Sequence, residues 1–105
     1  MITIIIPFYN EAESIPVLVQ YLNNQLNKLK KEFEIILIND GSSDNFLPIK
    51  SGFNFRSNVK LISHKKRLGK GEALKTGVEN SSGETIVFMD GDLQDDPEDL
   101  QRFIE

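Results

Sequence analysis

Thr85-Ile-Val-Phe-Met-Asp-Gly-Asp-Leu-Gln-Asp-Asp-Pro-Glu98 is the stretch on which the reading of this chain turns. Thr85 to Met89 are β-branched or apolar and carry no charge, which is how a strand buried on both faces reads. The run meets Asp90-Gly91-Asp92 directly. Two carboxylates at the end of a buried strand are costly unless a cation or hydrogen-bond donors compensate them. Two positions apart on an extended chain, they face one side with Cα atoms up to ~6.6 Å apart. That suits a single hard divalent ion gripped through oxygens. Gly91 keeps the space between them clear, and Gln94 offers a further neutral oxygen. Asp96-Pro97-Glu98 then reads as a helix start, with a capping acid, a first-turn proline and a second acid near the positive end of the dipole. An isolated Asp-Gly-Asp is more often a solvated turn. What separates this one is its place at the C-terminal end of an apolar strand, where open α/β sheets bind ligands. An EF-hand loop fails twice, since it needs glycine at Asp95 and glutamate at Gln101.

Working outward, three more short apolar runs read as strands. Ile2 to Ile6 is the first, stopped by Pro7, and Phe33 to Ile38 is the second, ending in Asn39-Asp40-Gly41-Ser42-Ser43-Asp44. Val59 to Ser63 is a third, shorter one. Between the first two, Ile15, Leu18, Val19, Leu22, Leu26 and Leu29 follow the spacing of one helical face, which predicts a helix from Ser14 to about Lys31. Ser14 is its expected cap and Pro16 lies in its first turn. Glu72 to Asn80 predicts another helix, stopped by Ser81-Ser82-Gly83. Phe46 to Asn58 is the weakest segment, because Pro48 interrupts a short helical pattern that Gly52 ends. Strands alternating with helices predict an α/β fold, a Rossmann-like parallel sheet of four strands in the order 3-2-1-4 with covering helices. The loops after strands one, two and four then share one edge.

At 105 residues the chain reads as one domain, and its 39% hydrophobic and 27% charged content is that of a globular protein. A formal net charge of −4 argues against a nucleic-acid partner, whose footprint is a basic stripe. With no cysteine, any metal must take oxygen ligands or His64. No segment approaches the ~20 apolar residues that span a bilayer, and the amino terminus lacks the basic segment of a secretory signal. Cytoplasmic exposure is the expectation.

The shared edge gathers chemistry suited to a nucleotide. A metal on Asp90 and Asp92 can bridge diphosphate oxygens. Asp40 can accept hydrogen bonds from a base or ribose, or cap its own turn. Tyr9 or Phe8 can pack on a base ring, or sit at the rim. Arg67 and Lys70 can neutralise phosphate or contact a sugar, whereas Lys65 and Lys66 read as a solvated basic turn. Gly69 and Gly71 permit close backbone approach. The loop is no Walker A motif, because Lys70 is followed by Gly71 rather than Ser or Thr. The lone His64 reads as structural or solvated.

Four segments in order carry a resemblance: Ile4-Ile-Ile-Pro-Phe-Tyr-Asn-Glu11, Ile38-Asn-Asp-Gly-Ser-Ser-Asp44, Gly69-Lys-Gly-Glu-Ala-Leu-Lys-Thr-Gly77 and Met89-Asp-Gly-Asp-Leu-Gln-Asp-Asp-Pro-Glu98. Together they resemble the family 2 glycosyltransferases of the GT-A fold, closest in look to the branch that moves a sugar onto a polyprenyl phosphate. The resemblance implies a nucleotide site lined by Pro7, Tyr9 and Glu11, with Gly69 and Lys70 beside it and Asp40 reading the base. It implies that Asp90 and Asp92 form the DXD motif, that Gln94 assists, and that Mg²⁺ or Mn²⁺ is the cofactor. The expected donor is a nucleoside-diphosphate sugar and the expected acceptor a polyprenyl phosphate, with inversion at the anomeric carbon. The family's catalytic domain continues well past the DXD helix. Residues 1–105 therefore read as its donor-binding half, with the catalytic base expected beyond Glu105 and with self-association through apolar surface where the other half would pack. A parent enzyme would work at the cytoplasmic face of a membrane. The competing expectation is a receiver-like module that binds Mg²⁺ through strand-end carboxylates; it lacks a matching lysine after a fifth strand.

Overall fold

The computed structural model describes residues 1–10, 14–30, 32–42 and 58–89. Four strands, β1 (Ile2–Phe8), β2 (Phe33–Asn39), β3 (Val59–Ser63) and β4 (Thr85–Phe88), alternate with two helices, α1 (Ser14–Lys28) and α2 (Lys70–Glu79). The strands form one sheet in the order β3-β2-β1-β4, and every pairing is parallel. This is the predicted order.

Each central strand divides its side chains between two cores. Ile2, Ile4, Ile6 and Phe8 of β1 and Phe33, Ile35 and Leu37 of β2 pack with Ile15, Leu18, Val19, Leu22 and Leu26 of α1. On the opposite face Ile5, Ile36 and Ile38 pack with Ala73 of α2. That is why β1 and β2 read as mostly apolar runs without alternation: every residue in both is buried, Thr3, Glu34 and Asn39 included. The second core is thinner because α2 comes close. A Cβ on Gly77 would lie 2.4 Å from the Ile5 side chain, so only glycine lets the helix sit there. The α1 helix ends earlier than predicted, at Lys28, where Lys30 at φ 56° turns the chain out of helical geometry.

Two expectations are corrected. Thr85 to Met89 does not form a strand buried on both faces: Ile86 and Val87 are half-buried and Phe88 is 51% exposed. Among the described residues β4 has a neighbour only in β1, so one flank of its side chains lacks cover. Nor does Pro7 stop the first strand. The Asp40 N–H donates to Phe8 O and the Met89 N–H to Ile5 O, so even positions of β1 hydrogen-bond toward β2 and odd ones toward β4. Pro7 is odd. Its missing N–H therefore spares the β2 ladder and deletes the next rung toward β4.

The short helical pattern expected from Phe46 to Gly52 and the last helix expected from Pro97 lie outside the described residues. Among the described residues no helix is long and apolar enough to cross a membrane.

Candidate functional site

Three chain segments meet at the C-terminal edge of the sheet: the exit of β1 (Phe8 to Asn10), the exit of β2 (Asn39 to Ser42) and the loop from His64 to Gly69. Parallel pairing carries them there at one level, since Phe8 registers with Asn39 and Asn39 with Ser63. The ladder runs one rung further, with Asp40 N–H on Phe8 O and His64 N–H on Asn39 O, both at 2.9 Å. Asp40 and His64 thus leave adjacent strands side by side.

The turn after β2 is built by its own polar residues. Asn39 Oδ1 accepts the Ser42 N–H at 3.0 Å, and Ser42 Oγ accepts the Asn10 N–H at 3.0 Å, which ties the β1 exit to the β2 exit. Gly41 takes φ 73°, and a Cβ there would lie 2.4 Å from backbone atoms of Lys66 and Arg67. Only glycine allows both the left-handed turn and the passage of the neighbouring loop.

Because Asn39 caps the turn, Asp40 is released for a longer reach. Its carboxylate is 4% exposed and collects the loop beyond β3. Oδ1 lies 2.9 Å from His64 Nδ1 and accepts the Leu68 N–H at 2.9 Å, while Oδ2 accepts the Gly69 N–H at 3.0 Å. Burial pushes the Asp40 carboxyl up. The hydrogen bonds from His64, Leu68 and Gly69 and the charge of His64 outweigh that and hold it below the usual carboxylate range. An ionised carboxylate only accepts, so His64 Nδ1 carries a proton. On its far side, His64 Nε2 lies 2.9 Å from Thr76 Oγ1, and the Thr76 hydroxyl is within 3.0 Å of Glu72 O. A chain of contacts runs from the sheet edge through the imidazole into α2.

Next to this array the Arg67 guanidinium stands 4.1 Å from the centre of the Tyr9 ring. Gly69, at φ 102°, precedes α2, and Lys70 opens that helix with an exposed side chain. Tyr9, Asp40, Gly69 and Lys70, all expected at the site, therefore lie along one edge, and Pro7 sits in β1 below it. Phe8 does not serve as a base platform: it is 3% exposed and packed in the α1 core, because its even position in β1 faces that helix. Gly71 is no part of the loop; it lies in the first turn of α2, and a Cβ there would meet nothing within 4 Å. His64, read from the sequence as structural or solvated, proves to be the side chain that engages Asp40. The signal for it was the register: β2 and β3 end at one level, so the residue just past each is the other's neighbour.

Glu11, Asp90, Asp92 and Gln94 lie outside the described residues. Among the described residues no three His, Asp or Glu side chains gather in a way that could hold a metal. β4 does bring the chain to the threshold of the Asp-Gly-Asp segment: Met89 is buried and its N–H donates to Ile5 O at 3.0 Å.

Residues 3–105 match the model of Glycosyl transferase family 2. The chain belongs to that family. Among solved structures, S. aureus TarS 1-349 in complex with UDP is similar at 25% identity and a TM-score of 0.68, covering 98% of this chain and 31% of that one. Glucosyl-3-phosphoglycerate synthase from Mycobacterium tuberculosis, in complex with Mn²⁺, UDP and glucosyl-3-phosphoglycerate, is similar at 27% identity and a TM-score of 0.64, covering 87% and 33%. The mannosyltransferase PcManGT from Pyrobaculum calidifontis, in complex with GDP-Man and Mn²⁺, has 24% identity and a TM-score of 0.64 over 87% of this chain and 27% of its own, a likeness that bears on the fold alone. The chain spans about one third or less of the length of each.

Proposed function

We propose that this family 2 chain is the donor-binding half of a metal-dependent glycosyltransferase. In this reading it holds a nucleoside-diphosphate sugar whose sugar passes to an acceptor. The observation that carries the reading is the convergence of three loops on Asp40 at the C-terminal sheet edge, beside the strand that leads into Asp90-Gly91-Asp92. Family membership and the UDP and Mn²⁺ found with similar proteins support it.

Pro7, Tyr9 and Glu11 line the nucleotide, Asp40 contacts the base, and Gly69 and Lys70 attend the donor from the start of α2. Asp90, Asp92 and Gln94 offer oxygen donors only, the set that Mg²⁺ or Mn²⁺ takes. A divalent ion there would neutralise the diphosphate of the leaving nucleotide. The acceptor is a polyprenyl phosphate at the cytoplasmic face of a membrane, attacking with inversion. A phosphate monoester has a second pKa near ~6 and is already anionic at neutral pH, so it asks little of a general base.

The test is the melting temperature of the chain with nucleoside diphosphates and Mn²⁺, Mg²⁺ or EDTA. A rise with nucleotide plus metal that EDTA and Asp92→Ala both remove is the expected result. The same rise in Asp92→Ala would sink the metal assignment.

A further inference from the structure

We infer that the donor base is a pyrimidine dione, uracil or thymine, and that His64 is the residue that excludes guanine. This rests on the donor-site reading above and adds the base to it. A carboxylate oxygen presents two in-plane lone pairs. Oδ1 of Asp40 receives two donors, His64 Nδ1 and the Leu68 N–H, whereas Oδ2 receives one, the Gly69 N–H. Among the described residues, Asp40 therefore retains one acceptor position, on Oδ2.

That count discriminates between bases. Uracil and thymine present a single ring N–H, at N3, between two carbonyl oxygens. One acceptor position satisfies it. Guanine presents two parallel donors, N1–H and the N2 amino group, and pairs well with a carboxylate only if both oxygens are open. Here the second donor would meet an oxygen already filled, and a buried donor left unpaired is costly. Cytosine and adenine bring a bare ring nitrogen toward the carboxylate, and two acceptors repel. His64 sets the count because it is the one side chain that occupies Oδ1 among the described residues. It is held there from behind by Thr76 on α2. His64 touches Asp40 rather than the ligand, so its role is to position and fill.

The experiment is calorimetric titration of the chain with UDP, dTDP, GDP, CDP and ADP in Mn²⁺. UDP or dTDP should bind at least roughly tenfold tighter than the other three, and whichever of the two is tighter names the source. His64→Ala opens Oδ1 and should shrink the preference over GDP severalfold. His64→Asn keeps an N–H near the position of Nδ1 and should restore it, a recovery that a merely structural histidine would not produce. GDP binding as tightly as UDP and dTDP in the unaltered chain overturns the base assignment, whether or not the variants fold, and leaves the donor site standing. A preference unchanged in a folded His64→Ala overturns the role of His64. No binding of any nucleotide with metal removes the donor site itself, and this inference with it.

Discussion

Glu34 and Asp40 lie six residues apart at opposite ends of β2, and they are wired alike. Glu34 is 5% exposed and Asp40 4%. In each, one oxygen takes two donors and the other takes one. Glu34 Oε2 accepts the Thr3 hydroxyl at 2.7 Å and the Ser82 N–H, and Oε1 lies 3.3 Å from Lys60 Nζ. In both cases burial pushes the carboxyl up, and the hydrogen bonds it accepts outweigh that and bring it down. Each gathers a loop from the α2 side of the sheet: Glu34 fixes Ser82 before β4, Asp40 fixes Leu68 and Gly69 before α2. The difference is position. Glu34 is at the N-terminal end of the strands, away from the edge where parallel sheets bind ligands, and Asp40 is at that edge. Burial and a depressed pKa thus do not distinguish a site from a staple; the strand end does.

Asp40→Ala should cost the most. It strands the Leu68 and Gly69 N–H groups and takes the carboxylate partner from the half-buried His64, about 2–4 kcal/mol in urea unfolding, and it should abolish nucleotide binding. Glu34→Ala should cost less, about 1–3 kcal/mol, because Lys60 is 48% exposed and can turn to water. Nucleotide affinity in that variant should stay unchanged, and a large loss there would erase the contrast between the two ends. Acid comes next. Both carboxyls are lowered on folding, so their contribution is complete at neutral pH and is lost as the pH falls below about 4 and protons are forced on. The fall of unfolding free energy between pH 5 and 2 should flatten in an Asp40→Asn/Glu34→Gln double variant. A slope equal to the parent's would place the acid sensitivity elsewhere. Smallest is Lys60→Met, which removes a half-exposed partner and should shift stability by ~0–1 kcal/mol, less still in high salt.

The fold was legible because periodicity is a local property. The apolar runs at Ile2 and Phe33 and the α1 stripe required no knowledge of their neighbours, and alternation then supplied the strand order. What the sequence hid depends on placement. Whether Thr85 to Met89 is covered on both faces depends on what lies beside β4. Whether Pro7 breaks a strand depends on the parity of one position. The partnership of Asp40 with His64 and Thr76 spans contacts 24 and 12 residues apart in the chain, which no pattern window joins. Tyr9 and Phe8 could not be ranked as edge aromatics until the strand fixed which of them turned inward. The roles of Asp90, Asp92 and Gln94 still rest on their order in the chain and on the family.

The stacking of Arg67 on Tyr9 has an optical consequence. The chain has no tryptophan and two tyrosines. Tyr21 is on α1, half-buried, while Tyr9 lies under a guanidinium at the edge of the sheet. Its emission depends on that contact, so displacement of Arg67 changes the fluorescence of the native chain. The protein carries its own reporter at this edge, and no dye or introduced tryptophan is needed to watch the edge rearrange.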